Sequence, residues 1–290
     1  MDPSTPQAEN KQGRASSRER LDILVFERGL APSRERAHAY ILEGIVLVDD
    51  KPADKPGMKY SLDSVITLKR KAMADPYVSR GALKLVAALD AFHLNPAGNI
   101  CIDVGTSTGG FTDVLLQRGA ETVFAIDTGY NKIDLRLRED PRVRLMERSN
   151  IRYVERLPEQ ILAQCAAIDV SFISLKLVIP ATAALLTKQS WIVALVKPQF
   201  EADRKETSRG KGIIRDTAVY RRILRDIRTG ISEMPLGLKA VGLIPSPITG
   251  KKGNHEFLLW IQRDFPESTG LLPELSDDAI EAVIAQTVEI

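Results

Sequence analysis

From residue 99 to residue 197 the chain repeats one rhythm: a short apolar run, a polar or acidic stop, then a stretch with helical spacing. The runs are NICIDV (99–104), TVFAID (122–127), VRLME (143–147), AAIDVSF (166–172) and WIVALVK (191–197). Most are nearly continuous in apolar residues rather than alternating, which is the pattern of a strand covered on both faces. Strands that alternate with helical segments predict an open, mainly parallel sheet with helices on both sides. Two later runs, LKAVGLIPSPI and HEFLLWIQR, are separated only by TGKKGN. That link is too short for a crossover, so the two are expected to pair antiparallel. The fold class expected is therefore α/β, with parallel strands and one antiparallel edge strand.

Residues 18–71 do not share this rhythm. RLDILVFERGLAPSRERAHAYILEG predicts two short helices, the first with Leu21, Leu24 and Val25 on one face, the second capped by Ser33 and carrying Ala37, Tyr40 and Ile41. IVLVDDKPADKPGMKYSLDSVITLKRK alternates around turns at Asp49-Asp50 and Pro56-Gly57 and reads as short strands. A small α+β module is expected over 18–71, a linker over 72–78, and the α/β body over 79–263, beginning with a helix through Ala82, Leu83, Leu85, Ala88 and Leu89. Residues 1–17, polar and rich in Ser, Gln and Pro, are expected to be disordered.

The formal charge of +2 hides an uneven distribution. Residues 264–290 hold seven acids and no Lys or Arg, which leaves +9 on the rest of the chain. A basic body with an acidic extension suits a polyanionic partner, although a solvated charged surface has the same composition. The apolar runs are short and repeatedly cut by charges, and the first seventeen residues lack the apolar core of a signal peptide, so a cytoplasmic protein is expected. Cys101 and Cys165, each inside an apolar run, match no metal spacing and are expected to be buried thiols. No metal site is expected.

The first strand ends in DVGTSTGG. In open α/β sheets ligands sit beyond the carboxyl ends of the strands, and glycines in the first strand–helix turn let backbone approach them. This turn is not the GxGxxG of dinucleotide enzymes: Asp103 precedes Gly105, and the paired glycines, Gly109 and Gly110, come late. A second acid, Asp127, ends the next strand, where a carboxylate can grip ribose hydroxyls. A turn bearing acids suits a positively charged cofactor such as S-adenosyl-L-methionine, with its sulfonium and amino groups. A tight strand–helix turn with no ligand remains the other reading.

Topology brings four further residues to the same edge. Asp169 and Lys197 lie at the ends of their runs, Glu256 starts the reversed strand, and Lys84 sits on the helix before the first strand. Singly, each has a structural explanation, as a turn former, a strand-end charge or a solvated helix residue. Together they are two lysines and two carboxylates in apolar surroundings, which is costly unless they are paired or used.

These segments resemble a known family. Residues 20–57 are similar to the S4 RNA-binding fold, and YVSRGALKL, CIDVGTSTGGFTDVLLQRGA, AIDVSFISL, VKPQFE, KGIIRD and SPITGKKGNHEF, in that order, resemble the hemolysin A type (TlyA) rRNA 2′-O-methyltransferases. The resemblance covers about residues 18–262. It implies an S4-like domain followed by an FtsJ-like domain with a Rossmann-like class I methyltransferase sheet. It also implies methylation of cytidine ribose in 16S or 23S rRNA, and a Lys-Asp-Lys-Glu tetrad at Lys84, Asp169, Lys197 and Glu256. The cofactor implied is S-adenosyl-L-methionine, with Asp103, Gly105, Thr106, Ser107, Gly109, Gly110, Asp127 and Asn150 around it. Asp103 is expected near its amino group, Asp127 on its ribose and Asn150 beside its adenine. The chain departs from the family pattern in Thr106, where alanine is more usual, in Asp49-Asp50, where the S4 turn has Asn-Gly, and in its acidic C-terminal extension.

On this reading Lys197 is the base that takes the hydroxyl proton, helped by the neighbouring cation Lys84 and by partial burial, while Asp169 and Glu256 orient the lysines and the hydroxyl. Ribosomal RNA or a ribosomal subunit is the expected partner, held by Arg20, Arg34 and Arg36 on the small module, by Lys69, Arg70 and Lys71 leading into the linker, and by Arg204, Lys205, Arg209, Lys211 and Arg215 in a loop after Lys197. The extension is expected to pack an apolar stripe of Ile280, Val283, Ile284 and Ile290 on the body. Two rival readings stay open: a non-catalytic assembly factor that holds rRNA, and a membrane-lytic protein, for which the sequence offers no spanning segment.

Overall fold

The computed structural model describes residues 18–31, 33–68, 76–250, 253–264 and 272–288. The expectations for residues 1–17, for Lys69, Arg70 and Lys71, for most of the linker and for Ile290 lie outside the described residues. The chain divides after Asp75 into two compact units.

In the first unit, β1 (Arg18–Arg20) leads into α1 (Leu21–Glu27) and α2 (Arg34–Leu42), followed by β2 (Val46–Val48), β3 (Lys51–Pro52), β4 (Lys59–Ser61) and β5 (Ile66–Leu68). The strands form two small antiparallel sheets, β3-β2-β5 and β1-β4. The predicted stripes meet in one core, with Leu21, Leu24 and Val25 of α1 and Ala37 and Ile41 of α2 packed with Val46, Val48 and Ile66. Ser33 Oγ accepts the Arg36 N–H at 3.2 Å, capping α2. Between β2 and β3 both turn residues have positive φ, +49° at Asp49 and +62° at Asp50. Two-residue hairpins of this kind favour Asn and Gly because other side chains are crowded there. The Asp49 carboxylate offsets part of that strain by accepting the Val65 N–H at 2.8 Å.

The second unit continues with α3 (Ala82–Ala91), β6 (Ile100–Val104), α4 (Gly110–Gln117), β7 (Thr122–Asp127), α5 (Leu135–Arg138), β8 (Val143–Glu147), β9 (Ala163–Ile168), α6 (Leu175–Ala184), β10 (Leu186–Val196), α7 (Pro198–Glu201), α8 (Arg204–Arg209), α9 (Thr217–Ser232), β11 (Leu238–Pro245), β12 (Phe257–Arg263) and α10 (Asp277–Val288). Its seven-stranded sheet has the order β11-β12-β10-β9-β6-β7-β8. The ladders from β10 to β8 are parallel, and β12 runs antiparallel to both β10 and β11. The reversed strand therefore lies one in from the edge, and β11 takes the edge itself. The placement is consistent with burial, since Phe257, Leu258, Leu259 and Ile261 of β12 are all buried, as in a strand covered on both faces.

Successive residues of each central strand feed opposite layers. Ile102, Phe124, Ile126, Ala166, Ile168, Ile192 and Ala194 pack with α6 and α9, while Cys101, Val123, Ala125, Cys165, Ala167 and Val193 pack with α3 and α4. The two cysteines are buried register partners on β6 and β9, with Sγ atoms 2.7 Å apart. β9 stops at Ile168 instead of running to residue 172, because the chain turns out through Phe172, at φ +65°, before Ser174 caps α6. In α10, Ile280, Val283 and Ile284 are buried in the α9 layer, so the acidic extension packs on the body.

Candidate active site

A cleft of about 770 Å³ opens at the carboxyl ends of β6, β7 and β9, a size suited to a small organic ligand. Gly105 forms its floor at φ +87°, and a Cβ there would lie 2.3 Å from the Asp169 carbonyl oxygen. Only glycine lets the exits of β6 and β9 touch. Asp127 faces this loop, its carboxylate accepting the Ser107 N–H at 2.9 Å and the Gly129 N–H at 2.5 Å, with Lys132 Nζ at 3.6 Å. A carboxylate offers about four lone-pair sites, so acceptor capacity remains for hydroxyls. Asn150 Oδ1 accepts the Arg152 N–H at 3.1 Å and caps the turn after β8 at the far wall.

The remaining candidates sit behind this lining. Asp103, expected near the cofactor's amino group, is fully buried and clamps the first turn of α4: its Oδ2 accepts Thr112 N–H at 2.9 Å and Thr112 Oγ–H at 2.6 Å. Burial, with Asp169 and Asp127 nearby adding to it, pushes its carboxyl up to about 7. Its Oδ1 has no hydrogen-bond partner among the described residues. Thr106 is buried and donates to the Asp103 carbonyl oxygen at 3.1 Å. Gly109, at φ +94°, clears the Leu137 and Ile133 side chains, and Gly110 clears Ser79 Oγ, so these two glycines serve the packing of the turn rather than the cleft lining. Gly105, Ser107, Asp127 and Asn150 are the four cofactor candidates that line the cleft. Asp127 and Asp169 line the cleft together with Lys132 and Arg152, so a ligand carrying charges of both signs finds partners there.

The other four candidates form two ion pairs. Lys197 Nζ lies 2.5 Å from Asp169 Oδ1 and 3.1 Å from Ser171 Oγ. Lys84 Nζ lies 2.5 Å from Glu256 Oε2, a pair almost wholly removed from solvent. The β10–β12 ladder ends at Val196 opposite Phe257, and one more step of that register sets Glu256 across from Lys197. Lys197 and Glu256 thus each adjoin the last rung of that ladder.

The basic candidates differ in their engagement. Arg20 Nε lies 2.9 Å and Arg34 Nε 3.2 Å from the buried Asp22 carboxylate, which those guanidinium groups hold below its ordinary range against burial. Arg36 stacks on Tyr40, 4.7 Å from the ring centre. Arg204, Lys205, Arg209, Lys211 and Arg215 are exposed. Much of that segment is helix α8, fixed at its start by a reciprocal Asp203–Glu206 cap, rather than an open loop. Sequence reasoning missed Phe172, 89% exposed beside the cleft and 4.8 Å from the Phe200 ring centre. A positive-φ aromatic after a strand-end acid leaves no periodic signal. Among the described residues there is no cluster fit to hold a metal ion, and no helix long and apolar enough to cross a membrane.

Comparison with known proteins agrees with this architecture. Residues 77–263 match the FtsJ-like methyltransferase family and residues 19–66 the S4 domain. YqxC of Bacillus subtilis is 44% identical, covering 93% of this chain and 94% of the relative. The 16S/23S rRNA (cytidine-2′-O)-methyltransferase TlyA of Mycobacterium tuberculosis is 39% identical, covering 93% of this chain and 98% of its own. A solved structure of a candidate hemolysin from Streptococcus thermophilus superposes with a TM-score of 0.71 at 40% identity, covering 95% of this chain and 97% of that one. The chain belongs to the FtsJ-like methyltransferase family, with an S4 domain ahead of the methyltransferase domain.

Proposed function

We propose that the protein methylates the ribose 2′-hydroxyl of a cytidine in 16S rRNA, 23S rRNA or both, using S-adenosyl-L-methionine, in the cytoplasm. The observation that carries this reading is the lysine–carboxylate contact Lys197–Asp169, whose Asp169 lines the cleft, together with the buried pair Lys84–Glu256. The activity of the M. tuberculosis relative, as its name states it, supports the same substrate.

S-adenosyl-L-methionine would supply an electrophilic methyl group on a sulfonium. Gly105, Ser107, Asp127 and Asn150 would hold it, with the Asp127 and Asp169 carboxylates available to its positive groups. The transfer forms a C–O bond, breaks an S–C bond and releases the hydroxyl proton. Lys197 receives that proton in its uncharged form, since an ammonium has no lone pair to accept one, with Asp169 and Ser171 fixing its amine, and Lys84 and Glu256 hold the other side of the ribose site. The exposed Phe172 ring offers a face on which an unstacked base can rest. RNA is held by the S4 unit and by the basic segment 204–215, whose charges suit phosphates.

Labelled cofactor incubated with isolated ribosomal subunits, followed by mapping of modified riboses, tests the reading. Lys197→Ala should lose about 10²- to 10⁴-fold in turnover, the usual worth of a general base, with cofactor binding retained. Lys197→Arg keeps the charge without a titratable amine and should be equally inactive. Near-normal turnover by either variant would reject the role.

A further inference from the structure

Two segments carry the central candidate pair: 169–175, leaving β9 for α6, and 197–201, leaving β10 through α7. They are joined by contacts that advance in step along both. Asp169 meets Lys197 at 2.5 Å, Ser171 Oγ meets Lys197 Nζ at 3.1 Å, and the Phe172 and Phe200 ring centres lie 4.8 Å apart. The last step is Glu201. Its Oε2 accepts Ser174 Oγ–H at 2.7 Å and its Oε1 accepts Leu175 N–H at 2.8 Å. A carboxylate suits that place, because the first amides of α6 have no partner within the helix and carry its positive end. Between Asp169 and Ser174 no regular secondary structure stiffens the chain, and Phe172 lies at positive φ.

We propose that Glu201 is a positioning residue: by gripping Ser174 and Leu175 it fixes the separation of the β9 and β10 exits, and through it the alignment of Lys197 with Asp169. The kinetic consequence rests on the proposed methyl transfer, whereas the structural consequence does not. Glu201→Ala opens the grip. Glu201→Gln keeps it, since the amide oxygen still accepts from Leu175 N–H and the amide NH₂ can donate to Ser174 Oγ.

Steady-state methylation of ribosomal subunits should show Glu201→Ala reduced about 10- to 100-fold in kcat, the scale of a small misalignment of reacting groups. KM for cofactor and for rRNA should stay unchanged, and Glu201→Gln should restore most of kcat. Unchanged kcat in Glu201→Ala would overturn the proposal, and so would equal losses in both variants that track melting temperature. Should Glu201→Ala fail to fold, Ser174→Ala removes one of the two bonds and carries the same expectations. If the wild type methylates nothing, the proposed function fails instead. The side-chain NMR signal of Lys197, assigned with Lys197→Arg, then decides: it should move in Glu201→Ala and not in Glu201→Gln, and an unmoved signal overturns the proposal.

Discussion

Asp103 shows how far one residue's environment departs from its motif. Two residues before Gly105, its side chain is directed inward, where Oδ2 accepts from Thr112 and Oδ1 has no hydrogen-bond partner among the described residues. The consequence is a pH dependence of stability. A carboxyl whose folded value is about 7 keeps its proton where the unfolded chain, near the ordinary value of about 4, has lost it. Across that window the folded state binds more protons, so stability falls as pH rises from about 4 to about 7 and the penalty is constant above. Asp22, Asp140, Glu147 and Glu281 are held below their ordinary values by arginine partners, and their contribution is lost only on acidification below about 4. Asp103→Asn should therefore be flatter than the wild type between pH 5 and pH 7 in urea unfolding. Parallel slopes for the two proteins would mean that Asp103 folds ionised.

At the scale of elements, α10 shows that surface ion pairs and the forces holding a helix in place can differ. It meets α9 through ion pairs of Arg221 with Glu281 and of Arg225 and Arg228 with Asp277, all between partly exposed side chains. Beneath them Ile280 is fully buried. Ile280→Ala should cost about 2–5 kcal/mol, the range for emptying a well-packed site. Glu281→Ala should cost much less, because exposed pairs are screened and entropically costly. Chemical denaturation of both variants measures the contrast, and a larger loss from Glu281→Ala would invert this ranking. The central strands and the α10 stripe were legible because burial on both faces, or along one helix face, leaves a compositional trace. β1 was not, since Arg18-Glu19-Arg20 alternates nothing apolar. Nor was the inner position of β12, which depends on how a short link folds back between β10 and β11, nor the Glu201 grip, which joins segments 26 residues apart. That Asp169, Lys197 and Glu256 share one end of the sheet was legible through topology, because strand ends of one sheet share an edge whatever their separation in the chain.

For the whole molecule the question is where the charge acts. The formal +9 outside residues 264–290 is not all available to a polyanion. Arg221, Arg225 and Arg228 are taken by α10, and Arg20 and Arg34 lean on Asp22. Asp277 and Glu281 of α10 are spent in the same contacts, so their charge neutralises arginines on one face of α9. The exposed cations of residues 204–215 remain as the principal cluster of the methyltransferase unit that sequence analysis singled out. Affinity for ribosomal RNA should fall linearly on a log–log plot against salt, and each phosphate-contacting arginine removed should lower the slope by about 0.7 to 1. Arg204→Ala and Arg209→Ala should each show that decrement, whereas Arg225→Ala should leave the slope unchanged while loosening α10. A decrement from Arg225→Ala, with none from Arg204→Ala or Arg209→Ala, would move the RNA path from the α8 segment to the α9 face.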